Sequence, residues 1–220
     1  MTVKIQWSYS GLKDFKNCPR QYNEVKVLKR YVKKQTHQMA YGTAVHSALE
    51  NYVRDGTPLP KNYEIFQKQL DPLREISGTK YPEHEMAVTH EKVPCDFSSP
   101  DYWVRGIADL LVVDGDYGFI VDYKTGSNRY PDPKQLQLMA LLAFSHFPSL
   151  QFIKAGLLFV VHEHFVTSEY RREDQEKLWN DFAGDLERLK ISFENGVWQP
   201  NPTPLCGWCP VSTCEFYREK

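Results

Sequence analysis

The chain has no run of about 18 consecutive apolar residues, so no membrane-spanning helix is expected. Its opening, Met1-Thr-Val-Lys-Ile, lacks the basic-then-apolar pattern of a secretory signal and the Arg-rich, acid-poor character of a transit peptide. The expected location is therefore the cytoplasm, nucleoid-associated or in a virus-infected cell. Excess charge of either sign is missing too. With 27 basic and 28 acidic residues the formal net charge is -1, so the global balance announces no nucleic-acid partner and any basic surface must be local. No internal repeat or low-complexity tract divides the chain. A G-x-x-x-x-G-K-[ST] phosphate loop is absent, which implies a stand-alone protein or a subunit that borrows its motor. The five cysteines are odd in number and crowd at Cys206, Cys209 and Cys214. That pattern disfavours a secreted disulfide framework and suits metal or cluster ligation in a reducing compartment. One domain over 1–220 is expected, comprising a basic N-terminal segment (1–40), a core (41–195) and a cysteine-rich tail (196–220).

Local basic surface is found near the N-terminus. Between Gly11 and Gln35 eight basic residues, among them Lys13, Lys16 and Arg20, face only Asp14 and Glu24, with Tyr22 and Tyr31 interspersed. Cations interleaved with aromatics suit phosphate neutralisation and base stacking, although a merely solvated face would look the same. Ser8 and Ser10 precede Leu12 and Phe15, which predicts a capped short helix stopped at Cys18-Pro19. Apolar spacing predicts a helix over 42–54 with His46 at the edge of its stripe, and a more polar one over 63–76. Alternation and β-branched runs predict strands over 85–93, 102–113 and 117–123, forming a meander turned at Asp114-Gly115-Asp116. A helix over 133–147, strands over 152–161 and 165–170, and a long amphipathic helix over 172–193 complete the pattern. Helices around clustered strands indicate an α/β (α+β) class with a mixed central sheet.

The chemistry concentrates in Gly106-Ile-Ala-Asp109 and Ile120-Val-Asp122-Tyr-Lys124-Thr-Gly126. On adjacent strands Asp109 and Asp122 can converge, and Asp122 and Lys124, two apart, share a face. Two carboxylates with room for water form an oxygen-rich site of the kind Mg²⁺ or Mn²⁺ prefers, and a neighbouring lysine can hold or deprotonate an attacking water. This is the arrangement phosphodiester hydrolysis needs. An isolated D-x-K can equally be a strand-end ion pair, and a lone helical histidine a packing residue. Glu85 reads as a solvated acid. The three late cysteines need one more ligand for a closed site, and spacing leaves zinc and a [4Fe-4S] cluster both open.

Four segments taken in order, Gly42-Thr-Ala-Val-His46-Ser-Ala-Leu-Glu50, Gly106-Ile-Ala-Asp109, Val121-Asp-Tyr-Lys124-Thr-Gly126 and Gln135-Leu-Gln-Leu-Met139, resemble the motifs of RecB-like PD-(D/E)XK nucleases. That group includes the CRISPR-associated adaptation nucleases and the AddB nuclease domain. The resemblance implies a restriction-endonuclease-like core with a C-terminal iron-sulfur staple. It implies that His46, Asp109 and Asp122 are metal ligands with the Tyr123 carbonyl completing the shell, that Lys124 orients the nucleophilic water, and that Gln135 steadies the site. Met139 stands where the family usually has tyrosine. The Cys18-Pro-Arg-Gln-Tyr22 context resembles the first cluster cysteine of the iron-sulfur branch, implying a [4Fe-4S] cluster on Cys18, Cys206, Cys209 and Cys214 in preference to zinc, with Cys95 a free thiol. The implied activity is exonucleolytic cutting of DNA, single-stranded by preference, alone or with a helicase or recombination partner, and without a membrane. The basic residues Lys13, Lys16 and Arg20, with the aromatic Tyr22, are the expected DNA contacts. Two alternatives remain: a silent DNA-binding iron-sulfur module, and electron transfer at the cysteines.

Overall fold

The computed structural model describes residues 4–129 and 131–218. In chain order the elements are helices α1 (Tyr9–Asn17), α2 (Pro19–Tyr22), α3 (His37–Asp55) and α4 (Gln67–Glu75), strands β1 (Thr79–Val88), β2 (Pro94–Cys95), β3 (Val104–Asp114) and β4 (Tyr117–Lys124), helix α5 (Lys134–His146), strands β5 (Phe152–Phe159) and β6 (His164–Arg171), and helices α6 (Gln175–Asn180) and α7 (Ala183–Asn195). They form two compact units: Thr36–Leu178, and the residues up to Gln35 together with those from Trp179 onward.

The Thr36–Leu178 unit is a six-stranded mixed sheet in the order β2-β1-β3-β4-β5-β6, flanked by helices. β1, β3 and β4 make the expected antiparallel meander. Asp114 pairs with Tyr117, so the intervening loop has two residues, and Gly115 supplies the φ of 60° that such a turn requires. β4 and β5 are parallel, a pairing that needs a long crossover, which α5 provides. One face carries Leu110 and Val112 of β3, Val121 and Tyr123 of β4 and Leu158 of β5, packed against Val45, Leu49, Tyr52 and Val53 of α3 and Leu70 and Leu73 of α4. Strand alternation turns Leu111 and Ile120 to the other face, where α5 lies across the sheet. α5 is buried continuously from Leu136 to Phe144, as expected of a helix apolar all round. Met139 is part of this packing: a Cβ on Gly106 would come within 2.2 Å of its Cε. Arg172 closes the far end of α5 by donating to the carbonyls of Phe144, Phe147 and Leu150 at 2.9, 2.8 and 2.5 Å.

Two boundaries differ from expectation. β1 begins at Thr79 and ends at Val88, earlier than its alternation suggests, because the chain folds back there through a turn in which Thr89 N–H donates to the Val93 carbonyl. Pro82 is tolerated within it because β2 pairs only with Ala87 and Val88, leaving β1 an edge strand at Pro82. The long helix expected over 172–193 is interrupted: a 3₁₀ turn (Arg172–Asp174) leads into α6, and α7 starts afresh at Ala183. Phe182 N–H bonds to Trp179 in an i-3 turn, and both side chains are buried.

In the other unit Ser8 caps α1 by accepting from Gly11 N–H at 3.2 Å, and the helix stops at Cys18 as the following proline requires. Phe15, Tyr22, Phe193 and Trp198 form an aromatic cluster with centroids 4.9–6.2 Å apart.

Candidate active site

The site forms where the sheet's ladders open. The β1–β3 register passes from Pro82↔Leu110 to His84↔Ala108, leaving Glu83 and Asp109 opposite each other but unpaired. The β3–β4 register ends at Leu110↔Val121, one step before Asp109 would face Asp122. Three acids on three adjacent strands therefore share one level. Glu83 sits at φ 45°, a left-handed conformation uncommon outside glycine, with a cost of roughly 1–3 kcal/mol. The missing β3–β4 bond is replaced by a side chain, since Tyr123 N–H donates to Asp109 Oδ2 at 2.7 Å.

α3 supplies His46. Thr36 caps this helix through Met39 N–H, Val45 and Leu49 are buried against the sheet, and His46 emerges beside them with Nδ1 3.3 Å from Asp109 Oδ2. On β4, Asp122 and Lys124 project to the α5 side while Tyr123, between them, enters the α3–α4 core. Gln135, in the first turn of α5, bridges the pair: its Nε2 donates to Asp122 Oδ1 at 2.5 Å and its Oε1 accepts from Lys124 Nζ at 3.0 Å. Lys124 Nζ also lies 2.5 Å from Asp122 Oδ2.

Electrostatics show how crowded with negative charge the site is. Burial, then the charges of Asp109 and Glu50, push the Glu83 carboxyl up to about 7. Burial and then Asp109 push Asp122 up to about 6, with Lys124 offsetting only part. Burial disfavours charge on His46, but the hydrogen bond and charge of Asp109, with Asp122, outweigh it and hold its pKa above the ordinary value. Such a set favours a bound cation. Ligand atoms of His46, Glu83 and Asp109 lie within 4.8 Å of one another, and Asp122 beside them is buried with its Oδ2 held by Lys124. Carboxylate oxygens with one imidazole fit a divalent ion of the Mg²⁺ or Mn²⁺ type. Glu83 is the candidate ligand that pattern reading missed. Glu85, weighed in its place, is exposed as expected; only the left-handed turn at Glu83 brings that side chain to the site, and an acid in a strand carries no sign of it.

The residues expected to touch DNA are variously placed. Lys16 pairs with Asp185 at 2.7 Å and Arg20 with Glu215 at 2.9 Å, while Lys13 lies 5.9 Å from the Tyr9 ring. Tyr22 is buried between Phe15 and Trp198, so its ring faces belong to the core and are closed to a base.

Cys18, Cys206, Cys209 and Cys214 line one cavity. Backbone turns aim donors at these sulfurs: Gln21 and Asn201 N–H at Cys18, each at 3.5 Å, and Thr203 N–H at Cys206 at 3.4 Å. The Gln21 side-chain amide donates to Cys209 at 3.2 Å. Among the described residues no three of these sulfurs come within 4.8 Å of one another. Cys95 lies apart on β2 as a free, half-buried thiol.

A sequence profile of the PD-(D/E)XK nuclease superfamily matches residues 6–214. No curated protein matches the chain. Among solved structures, that of SSO0001 aligns with a TM-score of 0.51 at 15% identity, covering 100% of this chain and 90% of its own. A candidate exonuclease from Eubacterium rectale aligns with a TM-score of 0.52 at 15% identity, covering 96% and 86%. Both are likenesses of fold.

Proposed function

The chain belongs to the PD-(D/E)XK nuclease superfamily, and from that premise we propose that it is a divalent-metal-dependent deoxyribonuclease of the RecB-like, iron-sulfur branch. Its proposed substrate is single-stranded DNA, degraded from an end in recombination, repair, replication or spacer capture, alone or beside a helicase. The observation that carries this reading is the meeting of His46, Glu83 and Asp109 at the opened ladders, next to Asp122, to which Lys124 and Gln135 are bound.

His46, Asp109 and Asp122 would hold the ion, with Glu83 and the Tyr123 carbonyl as further ligands. When bound, a divalent ion supplies Lewis-acid polarisation of the scissile phosphate and acidifies water. Lys124 has the role of positioning the attacking water: its ammonium is held by Asp122 and Gln135, and it donates toward the oxygen that attacks phosphorus. Attack forms a new P–O bond and breaks one ester P–O bond, and the water's proton passes to solvent or the departing oxygen. Gln135 keeps Asp122 and Lys124 at a fixed separation throughout. Met139 fills the space beside Gly106 and takes no part. The four cysteines and their N–H donors support a [4Fe-4S] cluster that closes the unit formed by the two ends of the chain, a structural role in which ligation contributes directly to folding.

The test is degradation of end-labelled single- and double-stranded DNA by anaerobically purified protein, with Mg²⁺, Mn²⁺ or EDTA, beside Asp122→Ala. Metal-dependent shortening from an end, absent in the variant and faster on single strands, is expected, with iron and sulfide present in the purified chain. DNA binding without cutting by iron-replete protein would instead identify a silent binding module.

A further inference from the structure

The chain carries no acid between Glu24 and Glu50, and five cations fall within 26–34. The structure divides these cations into two sets. Arg30 lies 3.7 Å from Glu24 and Lys33 2.9 Å from Asp14. Lys26, Lys29 and Lys34 are exposed and have no acidic partner among the described residues. They flank a backbone that is neither random nor ordinary. Asn23–Val27 is a π-helix, a form frequent at functional sites. Lys29 follows at φ 54°, a left-handed conformation that a non-glycine residue holds only where its surroundings impose it. Those surroundings are visible: Arg30 and Tyr31 N–H both reach the Glu24 carbonyl, at 2.9 and 3.4 Å, and Tyr31 Oη is bonded to Thr213 Oγ1 at 2.9 Å, next to Cys214. Val27, Leu28 and Val32 stand 36%, 43% and 82% exposed between the lysines.

We propose that the Lys26–Lys34 segment is a binding strip for the phosphate backbone of a single DNA strand, in which Lys26, Lys29 and Lys34 neutralise successive phosphates and the exposed apolar side chains lie against sugars or bases. The proposal rests on the nuclease reading for the identity of the polyanion. It reassigns the DNA contacts from the four basic and aromatic positions nearer the N-terminus, three of which are occupied by Asp185, Glu215 and the aromatic cluster. Cations held apart from acids on a fixed backbone give up fewer partners on binding than Lys16 or Arg20 would, and an unpaired lysine contributes its full share of counterion release.

The experiment uses the full, iron-replete chain in EDTA, so that nothing is cut, and reads anisotropy of a fluorescein-labelled oligothymidylate. The variant combines Lys26→Gln, Lys29→Asn and Lys34→Gln, with asparagine chosen because it tolerates the left-handed backbone. Three contacts at a salt exponent near 0.7 each mean that, between about 50 and 200 mM salt, the parent should lose about 20-fold more affinity than the variant. The Lys→Arg triple variant should bind as the parent does, and hydrolysis of a small chromogenic phosphodiester with Mn²⁺ should be the same in all three. An unchanged affinity and salt slope in the neutralised variant would overturn the proposal. So would equal competition by polyglutamate of the same charge, which would make the strip a site for an acidic protein. If no form hydrolyses the small diester yet the neutralised variant still loses the salt-dependent affinity, the strip stands and the nuclease reading fails.

Discussion

Replacing Asp122 by asparagine should stabilise the metal-free protein while abolishing hydrolysis. Asp122 is 4% exposed, and burial, followed by the charge of Asp109, raises its pKa from 3.8 to about 6. Because the folded-state value lies above the unfolded one, folding favours the protonated carboxyl. That contribution is fully present below about pH 4 and is lost as pH rises through about 6. A displacement of about two pH units corresponds to roughly 3 kcal/mol, which ionised Asp122 withholds at pH 8. Asparagine keeps the shape and the bond from Gln135, and the displacement already includes the attraction of Lys124, so the expected gain is at most about 3 kcal/mol, or up to roughly 6–12 °C in Tm for a chain of this size. Thermal unfolding in EDTA checks this directly. The variant should melt above the parent at pH 8, and the difference should shrink toward pH 5, where parental Asp122 is largely protonated. Adding Mn²⁺ should raise the parent's Tm by binding linkage and leave the variant's nearly unmoved, with hydrolysis down at least ~10³-fold in the variant. A variant that melts below the parent in EDTA at pH 8, or that gains as much from Mn²⁺, would refute the account of Asp122 as a buried carboxylate in need of a cation.

Three further outcomes are expected. Glu83→Gln should weaken Mn²⁺ by about tenfold or more while largely sparing the rate at saturating metal, seen as a rightward shift of the metal-activation curve, if the residue is a ligand and not part of the water-activating pair. Gln135→Ala should cost about 10–100-fold in rate by releasing Asp122 and Lys124 from their shared bridge, with the Tm in EDTA nearly unchanged; a rate within twofold of the parent would remove Gln135 from the site. Arg172→Ala should destabilise by about 2–4 kcal/mol, because the carbonyls of Phe144, Phe147 and Leu150 lose a charged donor together, a loss measurable as a drop in the denaturant midpoint at constant slope.

Much of the site could be read from local pattern. The apolar run before Asp122 requires a buried strand, the two-residue spacing to Lys124 puts both on one side of it, and Gln135 opens a helix whose unbroken apolar length could only be interior. Ser8 and Cys18-Pro19 define α1 by capping and by proline geometry, interactions that span four residues or fewer. Such features depend on neighbours in the chain, so composition and spacing suffice. The break between α6 and α7 is different: the 172–193 pattern is a sound amphipathic stripe, yet the chain turns where Phe182 N–H bonds to the Trp179 carbonyl. The role of Tyr22 is also a matter of surroundings, since an aromatic among cations reads as a base-stacking residue until Trp198, far along the chain, is seen to cover it.

The residues proposed for hydrolysis are therefore set by sequence: a histidine on a helical stripe, two aspartates on strands, and a lysine two places beyond one of them. Their convergence was a matter of tertiary structure. Glu83 joins the site because β1 turns left-handed opposite Asp109, and Asp109 reaches both His46 and Tyr123 because β3 is released from β4 at that level. Neither event leaves a mark in spacing or composition, because each depends on how three strands distant in the chain share their hydrogen bonds once the sheet has formed.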